Sequence, residues 1–156
     1  MKIVTTGLLK QVTEEALKSP RLRKNHNIHK SDNSVCHRLL NAIEPASYIR
    51  PHCHLDPEKD EAFIILSGRL GIILFSADGV VTEKVILSHQ SGNLAADIPY
   101  GIFHTAVSLD SGTVFYEAKA GPYLPLTESE TALWAPIDGS EAAVSYLQSL
   151  RSLFDQ

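Results

Sequence analysis

Two histidines, His52 and His54, flank Cys53 in a segment whose residue pattern predicts the end of a β-strand. Because side chains alternate between the two faces of a strand, both imidazoles face one side and the thiol faces the other. Two imidazole nitrogens on one face can chelate a single metal ion. We therefore expect a metal site here, with Cys53 acting as a small apolar residue on the far side.

Glu61 and His104 complete the expected metal site. Glu61 opens the next predicted strand, which ends at Gly68, and a tight hairpin there would bring the carboxylate beside the imidazoles. A turn at 99–101 leads into a later strand and puts His104 at the mouth of the β-barrel that the predicted strands would form. Three neutral imidazoles and one carboxylate suit one divalent transition metal ion, and iron, manganese, cobalt, nickel and zinc all remain open.

Glu117 and Lys119 lie two residues apart on a late predicted strand, so both side chains face the same side. We expect a catalytic pair, in which Glu117 acts as acid or base beside Lys119. A structural ion pair at the rim of the barrel is the open alternative. His37 and His89 have no partner at ligand spacing, and we assign them structural roles.

The segment 16–31 contains no acidic residue but five basic ones, in a protein whose net charge is −4. It could form a strap over the barrel mouth that binds a phosphate or carboxylate group, or it could be a solvated loop. The residues expected to bind substrate are Arg21, Arg23, Lys24, Asn25 and His29. Because the protein as a whole is acidic, we expect a small-molecule ligand rather than nucleic acid or a membrane.

Short apolar or alternating segments follow one another from about residue 36, separated by turn residues, which is typical of β-strands. Helical crossovers are missing between them, so the pattern predicts a mainly β protein with an antiparallel sandwich or barrel. Helical spacing predicts a short N-terminal helix over about 8–17 and a C-terminal helix over about 140–154. The predicted strands cover 39–43, 48–52, 62–66, 70–75, 80–87, 93–98, 103–108 and 113–119. Of these, 62–66 and 70–75 are expected to pair as a hairpin.

The length of 156 residues, 44% of them apolar, fits one single domain. Within it we expect an N-terminal helix and basic strap over 1–35, a barrel over 36–125 and a C-terminal extension over 126–156. Two cysteines are too few for a disulfide framework, and neither a signal peptide nor a membrane span is recognised, so a cytoplasmic location is expected. A P-loop, a dinucleotide fingerprint and a nucleophile elbow are all missing, which removes ATPase, dehydrogenase and serine-hydrolase functions.

The residues just described match a known pattern. His52-x-His54 with Glu61 and Gly68, followed by Pro-x-Gly-x-x-His over 99–104, resembles the two-part signature of the cupin superfamily. The resemblance implies a cupin-type antiparallel β-barrel, or jelly roll, that carries one metal ion and commonly forms a homodimer. Glu58 has the family's usual spacing from His54, but Ile65 would then stand in the glycine position, so Glu61 is the preferred ligand.

A second resemblance covers nearly the whole chain. The blocks RLRKNHNIH at 21–29, RLLNAIEP at 38–45, RPH at 50–52, KxE at 59–61 and EAKAGPY at 117–123 look like the WbuC-type cupin-fold metalloproteins. That family takes its name from bacterial polysaccharide gene clusters, which hints at a sugar-linked role.

Three functions follow from these residues and remain open. The first is a metal-dependent isomerase or epimerase, in which the ion polarises a small sugar-related or anionic substrate and Glu117 moves a proton. The second is an Fe(II)-dependent dioxygenase built on the same ligands. The third is a non-enzymatic module that binds or senses a saccharide or an organic acid. A metal-free epimerase that uses its histidines directly is the least favoured variant.

Overall fold

The computed structural model describes residues 1–155, so Gln156, the last residue of the predicted C-terminal extension, lies outside the described residues. Between two α-helices, the described residues form a run of β-strands. The elements are α1 (Thr6–Lys18), β1 (Arg23–Asn27), β2 (Cys36–Ile43), β3 (Glu61–Ser67), β4 (Leu70–Phe75), β5 (Val81–Leu87), β6 (Ala95–Ile98), β7 (Phe103–Ser108), β8 (Thr113–Ala120) and α2 (Glu141–Ser152). One turn of 3₁₀ helix, Glu128–Glu130, lies between β8 and α2.

The strands pair antiparallel in two sheets. The larger sheet has the order β1-β2-β8-β3-β6, and the smaller has the order β5-β4-β7. Apolar side chains from the inner faces of both sheets form the central core. Its buried members are Ile43, Phe63, Ile65, Leu70, Ile72, Leu87, Ile98, Ala106 and Phe115. This arrangement confirms the predicted mainly β fold of antiparallel strands with a short N-terminal helix and a C-terminal helix.

Helix α1 covers the outer face of the larger sheet. It begins after Thr5, whose side-chain oxygen accepts a hydrogen bond from the Leu8 amide at 3.2 Å, and it ends before Ser19. Val12 and Ala16 are fully buried against outward-facing residues of β2 such as Leu40. Helix α2 covers the smaller sheet in the same way, with buried residues Ala143, Leu147 and Leu150. Among residues 1–155 we find no helix with the length and apolar character needed to cross a membrane.

The predicted hairpin between 62–66 and 70–75 is wrong. Strand β3 pairs with β6 and β8, whereas β4 pairs with β5 and β7 in the other sheet. The turn at Gly68 therefore carries the chain from one sheet to the other. Gly68 has φ of 74°, and a Cβ on it would lie 2.8 Å from the Cα of Thr113, so the turn is pressed against β8. The predicted runs 62–66 and 70–75 contain no polar side chain, and such runs do not specify which neighbour each strand takes.

Two further expectations change at the barrel mouth. The segment 48–52 is not a strand, and only His52 forms isolated bridges, with His104 and Thr131. Pro51 has no amide hydrogen to donate to a ladder, which explains the interruption. The basic strap, in contrast, contains the unpredicted strand β1, which pairs with β2 along the edge of the larger sheet. The residues of β1 are polar and do not show the apolar pattern of a strand, because one face of β1 borders a polar cavity instead of the core.

Candidate functional site

The backbones around His52 and His104 are hydrogen-bonded to each other. The His52 amide donates to the His104 carbonyl at 3.1 Å, and the His104 amide donates to the His52 carbonyl at 2.8 Å. Gly101, with φ of 76°, donates its amide to the His54 carbonyl at 2.7 Å. Glycine is favoured at such a φ. The turn that opens β7 is thus fixed onto the segment that carries His52 and His54.

Glu61, the first residue of β3, lies between the imidazoles. Nε2 of His54 lies 3.0 Å from its Oε1, and Nε2 of His104 lies 2.9 Å from its Oε2. The rings of His52 and His104 have their centroids 4.8 Å apart. We call His52, His54, Glu61 and His104 the histidine–glutamate cluster. Within it, one ligand atom from each of His52, His54 and Glu61 lies within 4.8 Å of the others, so these three could hold a metal ion, and His104 joins them through Glu61.

The hydrogen bonds fix which imidazole nitrogens face the cluster. Nδ1 of His52 donates to the Arg50 carbonyl at 3.0 Å, and Nδ1 of His104 donates to the Ile102 carbonyl at 2.9 Å. In the neutral rings, Nε2 therefore keeps its lone pair, which is the form that binds a metal ion. Nε2 of His104 and Oε2 of Glu61 lie 2.9 Å apart, and this contact needs either a proton on the ring, which makes it a hydrogen bond, or a metal ion in the place of that proton. Ligand atoms at right angles on one ion, with bonds of about 2.1 Å, lie about 3.0 Å apart, so the observed spacings fit a metal.

Burial and neighbouring groups shift the pKa values of two cluster residues, Glu61 and His52. Burial acts to raise the pKa of Glu61, but hydrogen bonds from His104 and His54 and the charge of Lys119 hold it well below its usual range. Burial and the nearby His104 lower the pKa of His52 from 6.5 to about 4. At neutral pH the cluster therefore presents an ionised carboxylate and an uncharged His52.

A row of polar side chains that contact one another extends from the cluster along the inner face of the larger sheet. Nζ of Lys119 lies 2.5 Å from Oε1 of Glu61 and 2.7 Å from Oε1 of Glu117. The side-chain amide of Asn41 donates to Oε2 of Glu117 at 2.5 Å. Burial raises the pKa of Glu117. It acts to lower the pKa of Lys119, but the two carboxylates outweigh it and raise that pKa. The predicted pair is thus an ion pair inside the barrel, beside the cluster, and not at an exposed rim.

A cavity of about 480 Å³ lies between this row of polar side chains and the strap. The predicted residues that border it are Arg21, Arg23, Lys24, Asn25, His29, His52, Glu61, His104, Glu117 and Lys119. Part of Arg23 is used within the protein, because its guanidinium donates to the Tyr48 carbonyl at 2.6 Å and pairs with Asp138 at 2.8 Å. The strap therefore forms one wall of the same cavity that contains the histidine–glutamate cluster. Four basic and three acidic residues border this space, in a protein whose net charge is −4.

Among the cavity residues that sequence reasoning missed are His37 and Asn41. His37 borders it and is buried, although it was assigned a structural role. Asn41 interrupts an apolar strand at a position that faces inward, and that polar residue was the available signal. The alternative carboxylate, Glu58, is exposed, whereas Glu61 is buried and contacts two histidines.

Solved structures of low sequence identity share the fold. KdgF from Halomonas sp. has 17% identity and a TM-score of 0.52, covering 68% of this chain and 84% of its own. TT1209 from Thermus thermophilus has 20% identity and a TM-score of 0.53, covering 77% of this chain and 97% of its own. A cupin superfamily protein from Desulfitobacterium hafniense has 12% identity and a TM-score of 0.49, covering 63% of this chain and 76% of its own.

At such identities KdgF and TT1209 support the fold alone. No curated protein matches the sequence. One family does match, over residues 4–87, which include the strap, the cluster residues His52, His54 and Glu61, and the Gly68 turn. The chain belongs to this family, which is described as "Domain of unknown function (DUF6016)".

Proposed function

We propose that this protein is a metal-dependent isomerase or epimerase of a small, anionic, sugar-related substrate. The observation that carries the proposal is the histidine–glutamate cluster at a cavity that also contains the Glu117–Lys119 pair. His52, His54, Glu61 and His104 would hold one divalent transition metal ion. Such an ion supplies Lewis-acid polarisation of a substrate carbonyl or hydroxyl.

Glu117 is the group that would move the proton. Its carboxyl group borders the cavity, and burial raises its pKa, which brings an acid of this type closer to neutral pH. In the proposed isomerisation its carboxylate takes a proton from one substrate carbon and returns the same proton to the neighbouring carbon on the same face. Lys119 and Asn41 hold the two carboxyl oxygens in place during both transfers.

The strap would bind the anionic part of the substrate. Arg21, Lys24 and Asn25 border the cavity on the side of β1 and are exposed. The ion-pair partner of Lys24 is Glu15 at 3.9 Å, which leaves the ammonium free to contact a ligand. Basic side chains on this wall favour a phosphate or carboxylate group over a neutral sugar.

We further propose that the protein is of the WbuC type and serves bacterial polysaccharide metabolism. The blocks at 21–29, 38–45, 50–52, 59–61 and 117–123 support this assignment, because each of them contributes at least one residue to the cavity wall. A resemblance that is concentrated in the lining of a cavity supports a shared ligand more directly than one spread over the core.

The first experiment is elemental analysis of untagged protein purified without chelator. Wild type is compared with His52→Ala and His104→Ala, and with His89→Ala, an exposed histidine that does not border the cavity, as control. We expect near-stoichiometric metal in wild type and in the control, and its loss in the two cluster variants. Metal-free wild type whose melting temperature does not rise when ions are added would refute a metal-dependent function.

The metal that is found selects the assay. Zinc, nickel, manganese or cobalt leads to isomerase and epimerase panels of sugar acids and sugar phosphates, whereas iron with oxygen consumption would favour a dioxygenase. Glu117→Gln separates an enzyme from a binding module. An enzyme loses turnover in this variant while its ligand affinity remains. If metal-loaded wild type consumes no substrate that it binds, the binding module is the better description.

A further inference from the structure

Two histidines that belong neither to the cluster nor to the Glu117–Lys119 pair are stacked in the cavity wall. The rings of His29 and His37 have centroids 4.0 Å apart and an angle of 19° between their planes. Both residues border the cavity, and they are 5% and 4% exposed. His29 follows β1 and His37 lies on β2, so the stack joins the strap to the neighbouring strand.

Backbone hydrogen bonds fix the orientation and the proton position of each ring. Nδ1 of His29 lies 3.1 Å from the Arg38 amide nitrogen, which can only donate, and 3.0 Å from the Arg38 carbonyl oxygen, which can only accept. Because that carbonyl already accepts from the Ile28 amide at 2.8 Å, Nδ1 is assigned as the acceptor and the proton of the neutral ring is assigned to Nε2. Nε2 of His37 donates to the Asp32 carbonyl at 3.1 Å, which holds the second ring against the first.

The Nε2 proton of His29 has no acceptor within the part of the chain that the structure describes, although this atom is buried. Buried polar groups almost always have a hydrogen-bond partner, so an unpaired one needs an explanation. One edge of the ring is taken by Arg38 and one face by His37. His29 borders the cavity, so a ligand bound there is the partner that we infer for this buried atom.

The segment between the two histidines is held tightly. Gly121 donates its amide to the Val35 carbonyl at 3.0 Å, and Tyr123 donates to the Asp32 carbonyl at 2.7 Å. A Cβ on Gly121 would lie 1.9 Å from the Ser34 carbonyl oxygen, so only glycine allows this approach. A donor fixed in this way is preorganised and loses little conformational entropy when it binds a ligand.

The stack lies on the same inner face as the histidine–glutamate cluster. In the strand register His37 pairs with Lys119, and Lys119 pairs with Glu61. Two strand spacings put His37 and Glu61 about 10 Å apart at their Cα atoms. A molecule of the size of a six-carbon sugar derivative can therefore contact the cluster with one end and His29 with the other.

We propose that His29 binds the substrate by donating its Nε2 proton to an oxyanion, either a carboxylate or a phosphate, while the other end of the molecule contacts the histidine–glutamate cluster. This inference rests on the proposed function, because it takes the cavity to be a substrate site. It adds the anion-binding residue and the role of His37, which positions the His29 ring. The basic residues Arg21 and Lys24 on the same wall attract the oxyanion by their charge, whereas the hydrogen bond from His29 fixes its orientation.

The test uses Zn²⁺-loaded protein and calorimetric titration with three probes. D-glucuronate carries a carboxylate, D-glucose 6-phosphate carries a phosphate, and D-glucose is the neutral control. His29→Phe keeps an aromatic ring against His37 but lacks the donor, and His29→Gln restores an amide donor. His89→Phe, at an exposed position outside the cavity wall, is the matched control.

We expect wild type to bind one of the two anions, and which one it binds identifies the oxyanion. His29→Phe should weaken that binding by about 10- to 100-fold, as expected for the loss of a hydrogen bond to a charged group. His29→Gln should recover part of the affinity, and His89→Phe should match wild type. In ¹⁵N-labelled wild type, the His29 Nε2–H signal should shift on addition of the same anion.

Two results would overturn the inference while leaving the proposed function intact. One is that His29→Phe binds zinc and the anion as wild type does. The other is that zinc-loaded wild type binds neither anion. A wild type that takes up no zinc or other metal would instead refute the proposed function, and zinc content measured on every sample tells these failures apart.

Discussion

Nζ of Lys119 and Nε2 of His54 contact the same oxygen of Glu61, at 2.5 Å and 3.0 Å. The Glu61 carboxylate therefore belongs to the histidine–glutamate cluster and also contacts Lys119, which forms the ion pair with Glu117. Because the carboxylate is buried, changing Lys119 or Glu117 alters the electrostatic field at the cluster as well as the pair itself. The first two predictions concern this shared group.

Replacing Lys119 with Met should destabilise the protein by about 2–3 kcal/mol, because it leaves the buried Glu117 without its counter-charge. The measurement is urea unfolding at neutral pH. Lys10→Met, on the exposed face of α1, is the control and should change stability by less than about 0.5 kcal/mol. The double variant Lys119→Met with Glu117→Gln should recover most of the loss. Equal effects at Lys119 and Lys10 would show that the ion pair contributes nothing.

Glu61→Gln should reduce metal affinity by at least about 100-fold, because it removes the charged ligand of the cluster. Glu58→Gln removes an exposed carboxylate three residues earlier and should leave the affinity unchanged. Competition with a metal-binding dye measures both variants. A loss of affinity in Glu58→Gln with wild-type affinity in Glu61→Gln would reverse the assignment of the carboxylate.

His52 should make the stability of the metal-free protein depend on pH. Its pKa in the folded protein is about 4, against an ordinary value of 6.5. The folded state thus disfavours the proton, so the contribution of the neutral ring is complete above pH 6.5 and is lost as the pH falls towards 4.

Urea unfolding of wild type and His52→Gln, with chelator present, measures this contribution. The stability difference between the two proteins should be largest at pH 7 and should shrink at pH 5. His89→Gln, in which an exposed histidine is replaced, should show no such trend. A difference between wild type and His52→Gln that stays constant from pH 7 to pH 4.5 contradicts the prediction.

Gly68→Ala should cost about 3 kcal/mol or more of unfolding free energy. The new Cβ would lie 2.8 Å from the Cα of Thr113, and the φ of 74° is itself strained for alanine. Gly92 has a similar φ of 78° with open space around it, so Gly92→Ala measures the strain alone and should cost about 1 kcal/mol. Urea midpoints give both values, and similar losses would mean that the contact with β8 is unimportant.

The sequence predicted strands β4 and β7 with their observed bounds, because each is a short apolar run between turn residues. It did not predict that β3 and β4 lie in different sheets, since hydrophobic alternation reports the buried face but not the neighbour. Strand β1 was missed for another reason. Its residues are basic and polar, and strand propensity gives no signal where a strand borders a polar cavity.

The members of the candidate site were predictable where a spacing rule exists. His52 and His54 are two residues apart and both reach the cluster, although the segment before them is not a strand, and the turn before β7 fixes His104. The hairpin predicted to position Glu61 is incorrect, because β3 and β4 lie in different sheets and do not pair. The stack of His29 and His37 has no spacing signal, since β1 and β2 bring it together through the register of their pairing.

The crossing of the chain between sheets at Gly68 has a consequence for folding. Glu61 belongs to the larger sheet and His104 to the smaller one, and 43 residues of chain separate them. A chain that has formed only one sheet therefore holds an incomplete set of ligands, and the loop between them must close before an ion can be captured. An ion bound there would act as a clasp between the two sheets, so that its release and the opening of the barrel become one event.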